Sequence, residues 1–142
     1  MFNSLESRLR FVNGNILFDQ LLLNLGKLGA ADVTGIIRNE KEFTNFIFEG
    51  NVFLDDLKRF YNKFGIYNKQ NNPFNLFISG NLDLVNLTMR LKEISDDQKM
   101  KDEDVAYIEK EFNNLVLEEG YTSLFNFLKL KQFIRLVTTE MN

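Results

Sequence analysis

Apolar residues recur four times along the chain at offsets 0, +2 and +5, each time after a polar turn. The copies are Ile16/Phe18/Leu21, Val52/Leu54/Leu57, Leu82/Leu84/Leu87 and Leu128/Leu130/Phe133. Gly14, Gly50 and Gly80 open the first three copies, each followed by asparagine; the fourth keeps Asn126 but has no glycine. Offsets 0 and +2 share one face of an extended segment, and the step to +5 fits an apolar face that continues into a helix. Each copy therefore predicts a turn, a very short strand and a helix.

Breakers and caps frame the predicted helices. The leucine-rich stretch 17–28 reads as a helix stopped by Gly29, and Asp32 can cap a second helix over 33–45. A third helix is expected over 54–64, before Gly65. The second half predicts helices at 84–94, 102–114 and 128–141, with Ser95-Asp96-Asp97-Gln98 as a polar break. The polar segment 67–73 holds the sole proline, Pro73, which biases Asn72 away from helix. It divides the chain into an N-terminal lobe, 1–66, and a C-terminal lobe, 67–142, that begins with this linker.

Four turn–strand–helix units resemble the paired EF-hands of the calmodulin and myosin light-chain family. There a glycine stands at position 6 of a twelve-residue loop, an aliphatic residue at position 8 and an acidic ligand at position 12. On that frame position 12 falls on Gln20 and Asp56, which stand 36 positions apart, the separation within a calmodulin lobe. The stretch Lys99 to Phe112 is similar to the entering helix of that family's last hand. The resemblance implies a mostly α, two-lobed calmodulin-like fold. It would contain four helix–loop–helix units, with short strands joining Ile16 to Val52 and Leu82 to Leu128.

The same alignment removes the calcium chemistry. Position 1 of the loops would be Leu9, Asn45, Asn75 or Tyr121, and position 12 would be Gln20, Asp56, Asn86 or Gln132. Calcium takes about six to eight oxygen ligands, several of them carboxylates, so no metal and no cofactor is expected. Phenylalanines at 11, 46, 53, 77, 125 and 127 stand in or beside the loops, where they could replace the metal as packing.

Composition narrows the function further. The 142 residues contain no cysteine and no histidine, which removes disulfides, thiolate metal sites and Ser-His or Cys-His nucleophile pairs. No phosphate loop, HExxH or paired-acid motif is present, so an enzyme is not expected. A net charge of -3 argues against nucleic acid as a partner. No apolar run reaches the ~20 residues of a membrane-spanning helix, and no membrane insertion is expected.

What the resemblance implies is a calcium-independent light chain that clamps a basic amphipathic helix. The target would be an IQ-type segment of a myosin neck, stiffened into a lever arm, in a cytoplasmic, cytoskeleton-associated setting. A calmodulin- or centrin-like scaffold subunit of another motor or cytoskeletal assembly is the alternative; an unrelated helical protein is the third. The groove residues would be Leu21, Leu25, Leu28, Phe60, Tyr61 and Phe64 in the first lobe. In the second they would be Leu87, Leu91, Ile94, Ile108, Phe133, Leu136 and Val137. Asp96, Asp97, Asp102, Glu103 and Asp104 would offer an acidic rim.

Overall fold

The computed structural model describes residues 3–67, 73–119 and 127–141. Its strands are β1 (Ser4–Val12), β2 (Asn15–Asn24), β3 (Gly29–Asn39), β4 (Thr44–Leu54), β5 (Phe74–Asp83) and β6 (Thr88–Ser95). Helix α1 (Leu57–Lys63) lies between β4 and β5, and α2 (Asp102–Glu119) and α3 (Phe127–Met141) follow β6. The strands form one antiparallel sheet in chain order, β1-β2-β3-β4-β5-β6. Among the described residues the six strands hold more of the chain than the helices do, so the protein is mostly β.

This overturns the expected two-lobed EF-hand fold and the likeness to calmodulin and the light chains. Segments 17–28 and 33–45, expected as helices, lie largely in β2 and β3, and most of 84–94 lies in β6. Leucine's advantage in a helix over other ordinary residues is at most ~0.7 kcal/mol. Each leucine of β2 instead gains cross-strand neighbours on two sides, from β1 and β3. The expected strand pairs are also replaced. Ile16 stands opposite Phe11 and Ile37, Val52 opposite Ala31 and Leu76, and Leu82 opposite Phe46 and Met89, while Leu128 is in α3. The helices expected at 102–114 and 128–141 do occur, as α2 and α3.

The 0, +2, +5 spacing has several physical origins. In β2, Ile16 and Phe18 share a face, and the strand then carries a β-bulge. Asp19 and Gln20 together oppose Thr34 of β3, so Leu21 returns to the face of Phe18 three residues later. In the second copy, Val52 and Leu54 end β4, and the chain does enter a helix. Asp56 caps α1 by accepting a hydrogen bond from the Arg59 N–H at 2.9 Å, and Leu57 is buried in its first turn. The third copy ends in the β5–β6 turn, where Leu87 has a φ of 56°. The fourth lies in α3.

The turns follow their residues. Asn13-Gly14 joins β1 to β2 with φ of 50° and 78°, the two left-handed residues of a type I′ hairpin turn. A 3₁₀ turn, Gly26–Leu28, joins β2 to β3 and touches α1. The Asp83 carboxylate accepts from the backbone N–H groups of Val85 and Asn86, both at 2.9 Å, and pins the β5–β6 turn.

Helix packing on the sheet is concentrated at β6. Ile94, Val105 and Ile108, each no more than 6% exposed, form a core with Leu76, Ile78, Leu91, Met100, Tyr107 and Phe133. α3 packs on α2, where Phe112 and Phe133 meet edge to face at 6.0 Å. Linker residues 68–72, Phe125 and the side chains of Phe127 and Val137 lie outside the described residues.

Candidate functional site

The strand register sorts the sheet into two unlike faces, because directly opposed residues point the same way. One face carries Leu5, Ser7, Leu9 and Phe11 from β1, then Ile16, Phe18, Leu21 and Leu23 from β2. It continues through Ala31, Val33 and Ile37 of β3 and Phe46, Phe48 and Val52 of β4, and on to Leu76, Ile78 and Leu82 of β5. Leu91 and Ile94 complete it on β6. Ser7 is the sole polar side chain among these positions. A second bulge, at Lys92 and Glu93 opposite Ser79, keeps β6 in phase as the Asp19–Gln20 bulge does in β2.

Aromatic rings floor the middle of this face. Phe46 lies edge-on to Phe18, with centroids 5.5 Å apart, and stacks with Phe48 at 5.6 Å. Gly35 makes room for them, since a Cβ there would stand 2.9 Å from the ring of Phe46 and against the carbonyl of Ile47. At the β6 end the face is roofed by α2. At the β1 end it is open: Leu5 is 63% exposed, Leu9 40% and Phe11 76%. A contiguous apolar surface of this kind is uncommon on a water-facing protein and marks an interaction site.

The opposite face is mixed. Leu17, Ile36, Ile47 and Phe53 are interspersed with Glu6, Arg8, Arg10, Asp32, Thr34, Glu49, Asn51, Asn81 and Arg90. Arg10 donates two hydrogen bonds to the Asp19 carboxylate, at 2.7 and 2.8 Å, and these hold that carboxyl below the usual aspartate range. A shallow cavity of about 460 Å³ on this face is lined by Asn45, Asn81, Asp83, Thr88 and Arg90, among others. Most side-chain hydrogen-bonding chemistry thus lies on this face, the apolar face having Ser7 and the Asn39–Thr44 pair.

The residues expected to form a helix-binding groove are distributed differently. Leu21 and Leu91 lie on the apolar face, in β2 and β6. Ile94, Ile108 and Phe133 belong to the core between β6 and the helices, where Leu91 packs against them. Phe60, Tyr61 and Phe64 cluster in α1, with Phe60 5.7 Å from Tyr61 and 5.0 Å from Phe64, and Phe64 is only 1% exposed. Leu28 is buried in the 3₁₀ turn that begins after Leu25. Leu87 sits in the β5–β6 turn, and Leu136 is 40% exposed on α3. Val137 lies in α3, its side chain outside the described residues. The acidic positions 96, 97, 102 and 103 are exposed around the start of α2, and Asp104 is half-buried there; negative charge at a helix N-terminus is favoured by the helix dipole.

Residues that sequence reasoning missed include Leu5, Leu9, Phe11, Phe18, Phe46 and Phe48. Their signal was a period of two, clearest over 45–54, where every second residue is apolar or glycine, although Ile47 and Phe53 blur it from the opposite face.

No protein-family model, curated protein or solved structure matches the chain. Among the described residues no helix is long and apolar enough to cross a membrane, and no group of three or more acidic side chains could hold a metal ion.

Proposed function

We propose that the protein binds the acyl chains of lipids along the open part of its apolar sheet face. The observation that carries this reading is the chemical uniformity of that face. Protein–protein interfaces ordinarily contain about one hydrogen bond per 100–200 Å². Here the backbone groups are largely engaged in the sheet, and the side-chain donors on the face are few: Ser7 on β1, and Asn39 and Thr44, which stand opposite each other at the ends of β3 and β4. A surface with few directional groups suits a ligand that has none. Hydrocarbon gains ~0.8 kcal/mol for each methylene removed from water, and the half-exposed aromatic floor provides the contact area.

The clamp around an amphipathic helix rested on two helical lobes that could close. A single sheet offers no such pair of lobes, and the apolar surface is an open face. A myosin neck as partner therefore has no support in this geometry, and neither does the cytoskeletal setting inferred with it.

The test is titration with a fluorescent fatty acid, comparing Leu9→Asp and Phe11→Asp with Val12→Asp. All three residues are exposed in β1, so the substitutions spare the core; Val12 points to the opposite face. Saturable binding that falls at least tenfold for the first two variants and is unchanged for the third is the expected result. Equal binding by all three variants, or none by the wild type, overturns the reading.

A further inference from the structure

The two edges of the sheet are finished in different ways. On β6, the Asn113 side chain accepts from the Met89 N–H at 2.7 Å and donates to the Met89 carbonyl at 2.9 Å. Glu109 accepts from the Leu91 N–H at 2.8 Å. Two side chains of α2 thus stand where a seventh strand would otherwise pair. On β1, nine residues long and exposed throughout, the backbone pairs only with β2 among the described residues. An uncapped edge of that length is a template for another strand.

We propose that β1 pairs antiparallel with β1 of a second copy of this chain, with Ser7 on the two-fold axis. An axis perpendicular to the sheet keeps both apolar faces on one side, and it pairs odd residues with odd and even with even. Centred on Ser7, the pairing sets Leu5 opposite Leu9 of the second copy, and Glu6 opposite Arg8 of the second copy, each twice. The neighbouring registers are frustrated. Centring on Glu6 brings two carboxylates together, centring on Arg8 brings two guanidinium groups together, and centring on Leu9 sets Arg8 against Arg10 twice. Like charges directly opposite destabilise a strand pair, and opposite charges stabilise it.

The charges needed are available. Arg10 is already bound by Asp19, whereas Glu6 and Arg8 are exposed and make no contact ion pair among the described residues, Arg8 acting on Asp19 only through its charge. The result is a twelve-stranded sheet whose apolar face runs unbroken from one α2 to the other. It also sets the exposed Leu5 of each copy beside Leu9 of the other. The inference does not depend on lipid as the ligand, because it rests on the edge and on charges of the opposite face.

The test uses sedimentation velocity of the full chain over a dilution series, without lipid. Wild type is expected to self-associate to a dimer in the micromolar range. Glu6→Arg and Arg8→Glu are each expected to weaken the dimer at least tenfold, since each creates two like-charge contacts. An equimolar mixture of the two variants is expected to recover the wild-type affinity, because every contact in the mixed dimer again pairs opposite charges. Circular dichroism verifies the fold of each variant, and Glu6→Gln and Arg8→Gln provide neutral versions that weaken association less. A monomeric wild type at hundreds of micromolar overturns the proposal. So do single variants that associate as wild type does, and a mixture that stays monomeric.

Discussion

At β6 the sheet ends against a helix; at β1 it ends against solvent. The difference is local in origin and global in consequence. Glu109 and Asn113 are four residues apart on α2, about 6 Å along the axis at ~1.5 Å per residue. Met89 and Leu91 are two apart on β6, about 6.8 Å at ~3.4 Å per residue. The two repeats match closely enough for consecutive turns of α2 to serve alternate residues of the strand. The same helix brings Val105 and Ile108 onto Ile94. Edge closure and core formation are thus one event on this side, and neither occurs at β1. Among the described residues the sheet has one satisfied edge and one bare edge, and one face largely apolar, so it is asymmetric in both directions that matter for binding.

The largest test of this contrast is in stability. Ile94→Ala is expected to cost about 2–5 kcal/mol, the range for emptying a buried aliphatic site. Leu5→Ala, on the same face at the other end, is expected to fall within ~0.5 kcal/mol of wild type. Urea denaturation of both variants decides it. A comparable loss in the two would mean that something covers β1 in solution as fully as α2 covers β6.

Next in size is the edge closure itself. Asn113→Leu leaves the Met89 N–H and carbonyl unpaired beside a helix, at a cost of about 1–3 kcal/mol. Amide exchange at Met89 should accelerate, while Leu91, held by Glu109, should respond less. Glu109→Gln keeps an acceptor for Leu91 and is expected to be milder than Glu109→Leu. If exchange at Met89 is unchanged in Asn113→Leu, the side chain is not what closes this edge.

The C-terminal end of the molecule was more legible in the sequence than the rest, and the reason is physical. Helices α2 and α3 announce themselves by length and by apolar positions such as Val105, Ile108 and Phe112 at helical spacing, and both were expected close to where they lie. The sheet was hidden by its bulges. Asp19-Gln20 in β2 turns a period of two into a step of three, so that Phe18 and Leu21 imitate the passage from strand to helix. Leu21-Leu22-Leu23 strengthened the imitation, because leucine favours helices and because Leu22, on the opposite face, interrupts any visible alternation. Gly50 was misleading too: it sits in the middle of β4 and is buried on the apolar face, where a turn glycine was expected. Edge closure was not legible at all. Nothing in Glu109 or Asn113 as residue types distinguishes a strand cap from a solvated helix face; only the placement of α2 along β6 does. Of the candidate face, Leu21, Leu91 and Ile94 were expected as apolar contacts, but for a groove between helices rather than for a sheet face.

A smaller effect is expected from blunting the open edge. Leu9→Lys places a long cation on β1, a common device against edge-to-edge pairing. Because Leu9 is 40% exposed, folding stability should remain within ~0.5 kcal/mol of wild type, while light scattering at high protein concentration should fall. Placing lysine at Leu91, on the closed side, should instead disturb the core. Unaltered scattering for Leu9→Lys, with the fold intact, would indicate that β1 is not the surface through which molecules meet.

The smallest effect concerns how the carboxylates beside the two edges are held. Asp19 is held below the usual aspartate range chiefly by the hydrogen bonds from Arg10. Asp83, the last residue of β5 before the turn into β6, is lowered chiefly by the backbone N–H of Asn86 and then by that residue's side chain. A carboxylate whose folded value is depressed adds stability that is present above its unfolded value. That stability is lost as the pH falls through the folded one. Both groups therefore contribute at neutral pH and lose their contribution in acid. They are accessible to solvent, so the contribution is small and Asp19, which depends on a surface ion pair, is the more sensitive to salt. Carbon-detected NMR titration of the carboxyl groups separates the two. In Arg10→Ala the Asp19 midpoint should rise toward the ordinary aspartate range, and Asp83 should not move. In high salt the wild-type Asp19 midpoint should rise more than that of Asp83. Arg8 also draws the Asp19 value down through its charge, so Asp19 staying fully depressed both without Arg10 and in high salt would mean that β1 is tied to β2 at that point by something other than these charges. The open edge would then be more firmly anchored than its exposure implies.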